Sequence, residues 1–144
     1  MTGGLNVPRI KQNVLEYWQS ANTLNWPVKV VSALRGQQMQ AVIGGLVNVR
    51  GFITSEKFVR GRTPDQMEIV LGMPQGEYSQ GVYVFRLLCL PLAHQFDLKG
   101  YSQTPDGMPY TGGRYPPGLG ANQWELTDDL LATVVAFVPP GQQF

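Results

Sequence analysis

The segment of residues 110–126, YTGGRYPPGLGANQWEL, constrains the fold most, because turn chemistry fills its first part and a strand-like pattern fills its end. Its glycines permit positive φ angles and close backbone approach, and Pro116 and Pro117 stiffen the loop between them. The surrounding residues 101–121 form the longest stretch without periodicity, and loops of this length in a compact domain are usually functional or mobile. Such a loop is either a surface connection or the wall of a site.

The end of this segment carries the pattern polar, apolar, polar, apolar in Gln123, Trp124, Glu125 and Leu126. Successive side chains of a β-strand point to opposite faces. We therefore expect Trp124 and Leu126 to anchor the strand in the core. Gln123 and Glu125 would then share the other face and point into a cleft.

The composition describes one globular domain over residues 1–144, with 43% hydrophobic and 15% charged residues. A net charge of +1 gives no electrostatic case for binding nucleic acid, which usually requires a clear basic excess. No apolar stretch resembles a signal peptide or a transmembrane helix, so we expect no membrane insertion. If the domain acts outside its cell of origin, another machine or a larger parent chain must carry it.

Periodicity and turn signals predict an α+β fold, in which a helical N-terminal part over residues 1–45 precedes a small, mainly antiparallel split β-sheet over residues 46–144. Thr63, Pro64 and Gln66 have the spacing of a capping box, which predicts a short helix that closes at Gly72. Residues 28–31 fit either a short strand or the start of a helix. The predicted helices cover residues 8–22, 35–43 and 63–71, and the predicted strands cover residues 46–53, 81–90, 96–98 and 131–138.

Several kinds of catalytic site are excluded by the residues that the chain contains. His94 and Cys89 are the only histidine and cysteine, which leaves no zinc ligand set, and Asp128 and Asp129 are expected at the exposed start of a turn. The phosphate-binding motifs GxxxxGKS/T and GxGxxG and the serine motif GxSxG are absent. We therefore predict no metal site, a bystander role for His94, and a buried, unreactive thiol for Cys89 in its apolar run.

Cleavage of the bond between nicotinamide and ribose in NAD suits a site with few titratable groups. The pyridinium leaves as a neutral molecule, so no general acid has to protonate it. Catalysis then depends on positioning the dinucleotide and on polar groups placed where ribose charge develops. An arginine can bind the pyrophosphate through two hydrogen bonds, while an amide or carboxylate holds ribose hydroxyls or water.

The chain resembles the C-terminal toxin domains of bacterial polymorphic toxins, in particular the tuberculosis necrotizing toxin type of NAD glycohydrolase. That family has an ADP-ribosyltransferase-like fold, an arginine on an early strand and a glutamine after a glycine-rich loop. The resemblance covers roughly residues 46–138 and rests on these stretches: VRGFITS at 49–55, TPDQ at 63–66, LGMP at 71–74, FDL at 96–98 and GLGANQWEL at 118–126.

The resemblance implies a function for residues of this chain. Gln123 would be catalytic, with Glu125 beside it, and Arg50 would bind phosphate. Further contacts to NAD(P)+ would come from these residues: Phe52, Thr54, Gly118 and Gly120. NAD(P)+ would be the substrate, with no cofactor. The family resemblance also implies a translocated effector that lacks its own signal peptide, acts in the target-cell cytoplasm and has a cognate immunity protein as its partner.

Two alternatives use the same residues differently. Gln123, Trp124 and Glu125 are also similar to the Q-x-E element of mono-ADP-ribosyltransferase toxins, in which the glutamate holds the nicotinamide ribose. The serine-threonine-serine strand usual in those enzymes is not evident, which favours water as the acceptor. The second alternative is a structural or interaction module without enzymatic activity, in which Arg50, Gln123 and Glu125 are ordinary strand residues.

Overall fold

The structure is a computed structural model that describes residues 7–98, 102–103, 109–110 and 120–144. Its helices are α1 (Val7–Gln19), α2 (Ala33–Gln38) and α3 (Pro64–Leu71). Its strands are β1 (Pro27–Ser32), β2 (Leu46–Ser55), β3 (Val82–Leu87), β4 (Phe96–Asp97), β5 (Ser102–Gln103), β6 (Pro109–Tyr110) and β7 (Gln123–Val138). Helices and antiparallel strands share the chain, which confirms the α+β class.

Five strands form the main sheet, in the order β2, β1, β3, β7, β4. Every pairing between them is antiparallel, and β2 also pairs with β7, so that four strands close on themselves and β4 lies beside β7. The two short strands β5 and β6 pair separately. Closure gives β7 three partner strands, which makes it the central element of the sheet.

The pairing of β2 with β7 is interrupted by a bulge, where the register shifts between Val49 and Gly51. Gly51 has a φ of 78°, a conformation that residues with a Cβ atom rarely adopt. On the facing strand the extra residues 127–129 separate Leu126 from Leu130. Arg50 lies at this irregular position, between the two regular halves of the ladder.

One hydrophobic cluster joins α1 to one face of the strands. Ile10, Val14 and Trp18 form the buried stripe of α1. The Trp18 ring lies 5.0 Å from the rings of Phe96 and Trp124, measured between centroids. Because aromatic rings bury a large apolar area, this group fixes the helix against β4 and the start of β7.

A second cluster joins α3 to the opposite face of the strands. Met67, Val70 and Leu71 of the helix pack with Val82 and Val84 of β3. The predicted capping box at the start of α3 is confirmed, because Thr63 accepts from the Gln66 N–H and the Gln66 side chain accepts from the Thr63 N–H. The other end of α3 lies beside the residues that lead into β7, because the Ala121 N–H donates to the Val70 carbonyl at 2.7 Å.

Four predictions from the sequence need correction. The N-terminal part is not wholly helical, because β1 is a strand of the closed sheet. The predicted strand at 131–138 is the second half of β7, so Asp128 and Asp129 lie within a strand and not at a turn. The second helix ends at Gln38. Cys89 is exposed, because β3 ends at Leu87 and the apolar run continues past the sheet.

Among the described residues, no helix has the length and apolar character needed to cross a membrane. Residues 1–6 at the start of the chain lie outside the described residues. The same holds for the glycine- and proline-rich part of the loop at 111–119.

Candidate functional site

A cleft of about 330 Å³ opens between β1, β2, the end of α3 and the start of β7. We call it the Gln123 cleft, and its lining includes Lys29, Phe52, Thr54, Leu71, Tyr78 and Gln123. Three of the residues predicted to bind or act on a ligand therefore meet in one cavity. The strand register brings them together, because Thr54 of β2 faces Gln123 of β7 directly.

Gln123 forms the floor of this cleft and is only 6% exposed. Its Nε2 donates to the Leu71 carbonyl at 2.9 Å, which ties the amide to the end of α3. The neighbouring Thr54 Oγ1 donates to the Asn122 carbonyl at 2.7 Å. These bonds hold the polar floor in one orientation, as a preorganised binding site requires.

Phe52 and Glu125 occupy the next pair along the same two strands. Phe52 is 43% exposed and lines the mouth of the cleft. Glu125 is partly buried and also faces Asp97 of β4, outside the set of residues that line the cavity. The predicted alternation is confirmed, because Trp124 and Leu126 are buried in the core. Gln123 lines the cleft, whereas Glu125 does not.

Arg50 lies on a shallower extension of the cleft, about 210 Å³ in volume. We call it the arginine shelf, and its polar residues are Lys29, Ser32, Arg35, Arg50, Glu77 and Tyr78. Lys29 and Tyr78 line both cavities and therefore join them. The Arg50 side chain is 63% exposed, and its Nη1 lies 4.0 Å from Asp129 Oδ1, so the guanidinium can turn toward a ligand on the shelf.

Of the two glycines predicted to contact a ligand, the structure describes Gly120. Gly118 lies outside the described residues. Gly120 is partly buried and begins the described segment that leads into β7. Its neighbour Ala121 is fully buried and hydrogen-bonded to α3, which fixes the chain just before β7, but Gly120 does not line the Gln123 cleft.

Lys29 is a site residue that we did not predict from the sequence. Its Nζ donates to the Phe52 carbonyl at 2.9 Å, just beyond the last residue pair of β1 with β2. Burial, assisted by the positive charge of Arg35, lowers the pKa of Lys29 from its ordinary 10.5 to about 8. The available signal was a single lysine within the apolar strand sequence PVKVVS.

The wall opposite Lys29 is positioned by a buried carboxylate. Glu68 of α3 is 6% exposed and accepts from the N–H groups of Gly76 and Tyr78 at 3.0 and 2.6 Å. These bonds fix the segment between α3 and β3 and place Tyr78 against the cleft. Burial, assisted by the charges of Glu77 and Glu68, raises the pKa of Tyr78, so its phenol stays protonated at neutral pH.

His94 and Cys89 are both exposed, and neither lines the Gln123 cleft or the arginine shelf. Within the described ranges, no group of three or more His, Cys, Asp or Glu side chains is arranged to hold a metal ion. The polar side chains that line the cleft are the amide of Gln123, the hydroxyl of Thr54, the phenol of Tyr78 and the amine of Lys29.

Comparison with known proteins gives no match. No protein-family model, no curated protein and no solved structure is significantly similar to this chain.

Proposed function

We propose that this chain is an NAD(P)+ glycohydrolase domain that hydrolyses the bond between nicotinamide and ribose in the Gln123 cleft. The observation that carries the proposal is the convergence of Gln123, Thr54 and Phe52 on one cavity, in the arrangement expected from the resemblance to NAD glycohydrolase toxins. We further propose that the antiparallel sheet is a variant of the ADP-ribosyltransferase-like type.

The Gln123 cleft fits the nicotinamide ribose. Phe52 at the mouth offers an aromatic face to the planar nicotinamide ring. Gln123 and Thr54 on the floor offer an amide and a hydroxyl to the ribose hydroxyls or to the attacking water. Because both side chains are already held by hydrogen bonds, little reorganisation opposes charge development on the ribose.

The arginine shelf fits the pyrophosphate. It adjoins the Gln123 cleft and carries the guanidinium groups of Arg35 and Arg50. Guanidinium groups bind phosphate oxygens through paired, charge-assisted hydrogen bonds. A dinucleotide that extends from the cleft onto the shelf would thus place its scissile bond near Gln123 and its charges near the arginines.

Water is the preferred acceptor, because Glu125 lies outside the cleft that Gln123 lines. In a transferase of the Q-x-E kind the glutamate holds the nicotinamide ribose. The proposal extends to a translocated effector that depletes NAD(P)+ in the target-cell cytoplasm and is neutralised by an immunity protein.

The first test measures free nicotinamide after incubation of the folded chain with NAD+. We expect release from the wild type and a loss of about 10²–10³ in rate for Gln123→Ala, the effect of removing one preorganised polar group. Glu125→Ala is the matched control on the same strand face and should lose much less. Circular dichroism and thermal unfolding confirm that both variants are folded.

Two outcomes would change the assignment. Loss of nicotinamide release mainly in Glu125→Ala, together with transfer of labelled ADP-ribose to protein by the wild type, would indicate a transferase. Absence of nicotinamide release from the folded wild type with both NAD+ and NADP+ would exclude the glycohydrolase and leave a non-enzymatic module.

The second test concerns Arg50. Arg50→Ala should weaken NAD+ binding by about 1.5–3 kcal/mol, because it removes a charge-assisted contact to the pyrophosphate, and should leave the fold intact. Isothermal titration measures the dissociation constant, with Arg9→Ala, an exposed arginine on α1, as the control. Equal NAD+ affinities of the two folded variants would remove Arg50 from the site.

A further inference from the structure

Lys29 carries an amine at the point where the Gln123 cleft meets the arginine shelf. The side chain is partly buried, and its Nζ is held by the Phe52 carbonyl. Among the ion pairs of the described residues, none involves Lys29. A lysine without a carboxylate partner in a cavity has its amine available to a ligand.

The charged and titratable groups around this amine come from three parts of the chain. Arg35 of α2 and Arg50 of β2 contribute positive charge to the shelf. Glu77 and Tyr78 line it from the segment between α3 and β3, and Tyr78 stays protonated. Two guanidinium groups and one carboxylate line the shelf, and Asp129 lies 4.0 Å from Arg50 beside it. Arg35 and Arg50 can bind a ligand that carries an anionic group through charge-assisted hydrogen bonds.

The protonation state of Lys29 makes it unusual among lysines. Its pKa of about 8 reflects burial first and the positive charge of Arg35 second. At pH 8 about half of such amines are neutral, compared with about 0.4% of an ordinary lysine with a pKa near 10.4. Only the neutral amine has a free electron pair with which to attack a carbonyl carbon.

We propose that Lys29 forms an imine with an aldehyde that carries a phosphate or carboxylate group, with the anionic group bound on the arginine shelf. The amine nitrogen donates its electron pair to the carbonyl carbon, and the carbonyl oxygen takes up a proton. The resulting carbinolamine loses water, so that a C=N bond replaces the C=O bond. The step involves no net oxidation or reduction, and it requires neither NAD(P)+ nor the glycohydrolase activity.

The test treats the folded wild-type chain at pH 8 with pyridoxal 5′-phosphate, pyridoxal or glyoxylate. Sodium borohydride reduces any imine to a stable amine, and peptide mass spectrometry locates the modified lysines. Lys11, Lys57 and Lys99 serve as internal controls within the same chain. We expect pyridoxal 5′-phosphate to modify Lys29 at least about tenfold faster than each control lysine, because its amine lies beside the arginine shelf and is more often neutral than that of an ordinary lysine.

Comparing the three aldehydes distinguishes the reactivity of the Lys29 amine from the binding of an anionic group on the shelf. Pyridoxal lacks the phosphate, and its aldehyde is largely closed to an internal hemiacetal, so its rates are compared at all four lysines. The ratio of the pyridoxal 5′-phosphate rate to the pyridoxal rate should be higher at Lys29 than at the control lysines. Fast modification by glyoxylate as well would mean that the shelf accepts a carboxylate. Equal modification of all four lysines by pyridoxal 5′-phosphate, or no modification of Lys29, would overturn the proposal.

Two variants, Arg35→Gln and Arg50→Gln, test the arginine shelf, and Lys57→Arg is their control. Arg35→Gln should lower the ratio of the pyridoxal 5′-phosphate rate to the pyridoxal rate at Lys29 by about two- to fivefold, the effect of one partly exposed charge. A change in the amine pKa would alter both rates by the same factor and would leave their ratio unchanged. Lys57→Arg should leave this ratio unchanged. If the ratio is unchanged both in Arg35→Gln and in Arg50→Gln, the arginine shelf is not the site that binds the anionic group.

Discussion

At the scale of the residue, Lys29 shows how a strand position changes the chemistry of a side chain. Its folded pKa of about 8 lies below its ordinary value of 10.5. Between these values the unfolded chain binds more protons than the folded chain, so stability rises with pH across this window. The stability from this lowered pKa is fully present above pH 10.5 and is lost as the pH falls through about 8.

We therefore expect Lys29→Met to gain stability relative to the wild type at pH 7. The gain should shrink by about 1–3 kcal/mol between pH 7 and pH 10, because the wild-type amine loses its charge in this range. Urea unfolding at both pH values measures the change. Lys57→Met, at an exposed lysine, is the control for the loss of a lysine side chain as such. A pH-independent difference for Lys29→Met would contradict the pKa shift.

The residues of the candidate site were predictable to the extent that they follow local alternation. Gln123 could be assigned to the face opposite Trp124 from the sequence alone, since a strand has a period of two residues. Lys29 could not be assigned, because its neighbours on the shelf come from α2, β2 and the segment before β3. Cys89 was wrongly expected to be buried, because an apolar run does not show where its strand ends.

The exposure of Cys89 gives a prediction for the folded protein. Cys89→Ser should change the free energy of unfolding by less than about 0.5 kcal/mol, as for most exposed positions. Ellman's reagent should react with the folded wild type and should leave nicotinamide release unchanged. Slow reaction that requires unfolding would contradict the exposed position of the thiol.

At the scale of the element, α3 begins and ends where local sequence signals predict. Its start depends on Thr63 and Gln66, and its end on Gly72, which has a left-handed φ of 68°. All three signals act within a few residues of the chain, so no tertiary contact was needed to predict them. The helix then places Leu71 against Gln123 and Glu68 against the Tyr78 segment.

Loss of the α3 cap should therefore lower stability in a measurable way. Thr63→Ala removes the acceptor for the Gln66 N–H and should cost about 1 kcal/mol of unfolding free energy. Thr23→Ala, at an exposed threonine outside α3, is the control. Chemical denaturation measures both variants, and equal stabilities would show that the cap contributes nothing.

β1 and β7 are two elements that the sequence predicts only in part, because residues 28–31 fit either a strand or a helix start and only residues 123–126 and 131–138 of β7 have a strand-like pattern. β1 contains a short apolar run without clear periodicity, and its place in the sheet depends on five residue pairs with β3. β7 continues through Thr127, Asp128 and Asp129, although their polarity suggests a break. The bulge opposite Arg50 accounts for the continuation, because it lets both aspartates remain exposed while the strand goes on.

At the scale of the whole molecule, closure of the sheet was beyond prediction from the sequence. The closing pairs run from Leu46 with Thr133 to Thr54 with Gln123, and residues far apart in sequence leave no local signal of their pairing. Closure is what brings Thr54 and Gln123 together, so the candidate site depends on the fold as a whole. The sheet is stabilised at the end of β2 by an ionic contact between distant parts of the chain.

Glu56, directly after β2, makes that contact. It is 5% exposed, and its carboxylate accepts hydrogen bonds from Arg60 and from Arg86 of β3. Burial alone would raise the pKa of Glu56, but the hydrogen bonds from Arg86 and Arg60 outweigh burial and lower it below its ordinary 4.5. The carboxylate therefore stabilises the fold above pH 4.5, and this contribution is lost as the pH falls through the lowered pKa.

Glu56→Gln tests whether this contact supports the closed sheet. The amide keeps the size of the side chain but not its charge, so the variant should lose about 1–3 kcal/mol at pH 7. The difference from the wild type should shrink as the pH falls through the lowered pKa of Glu56, where protonation removes the same interaction. Urea unfolding at pH 7, 5 and 3 measures it, with Glu16→Gln at an exposed position of α1 as the control. A difference that is constant over this range would mean that Glu56 acts through packing, and the ionic contact would then play no part in holding β2 to β3.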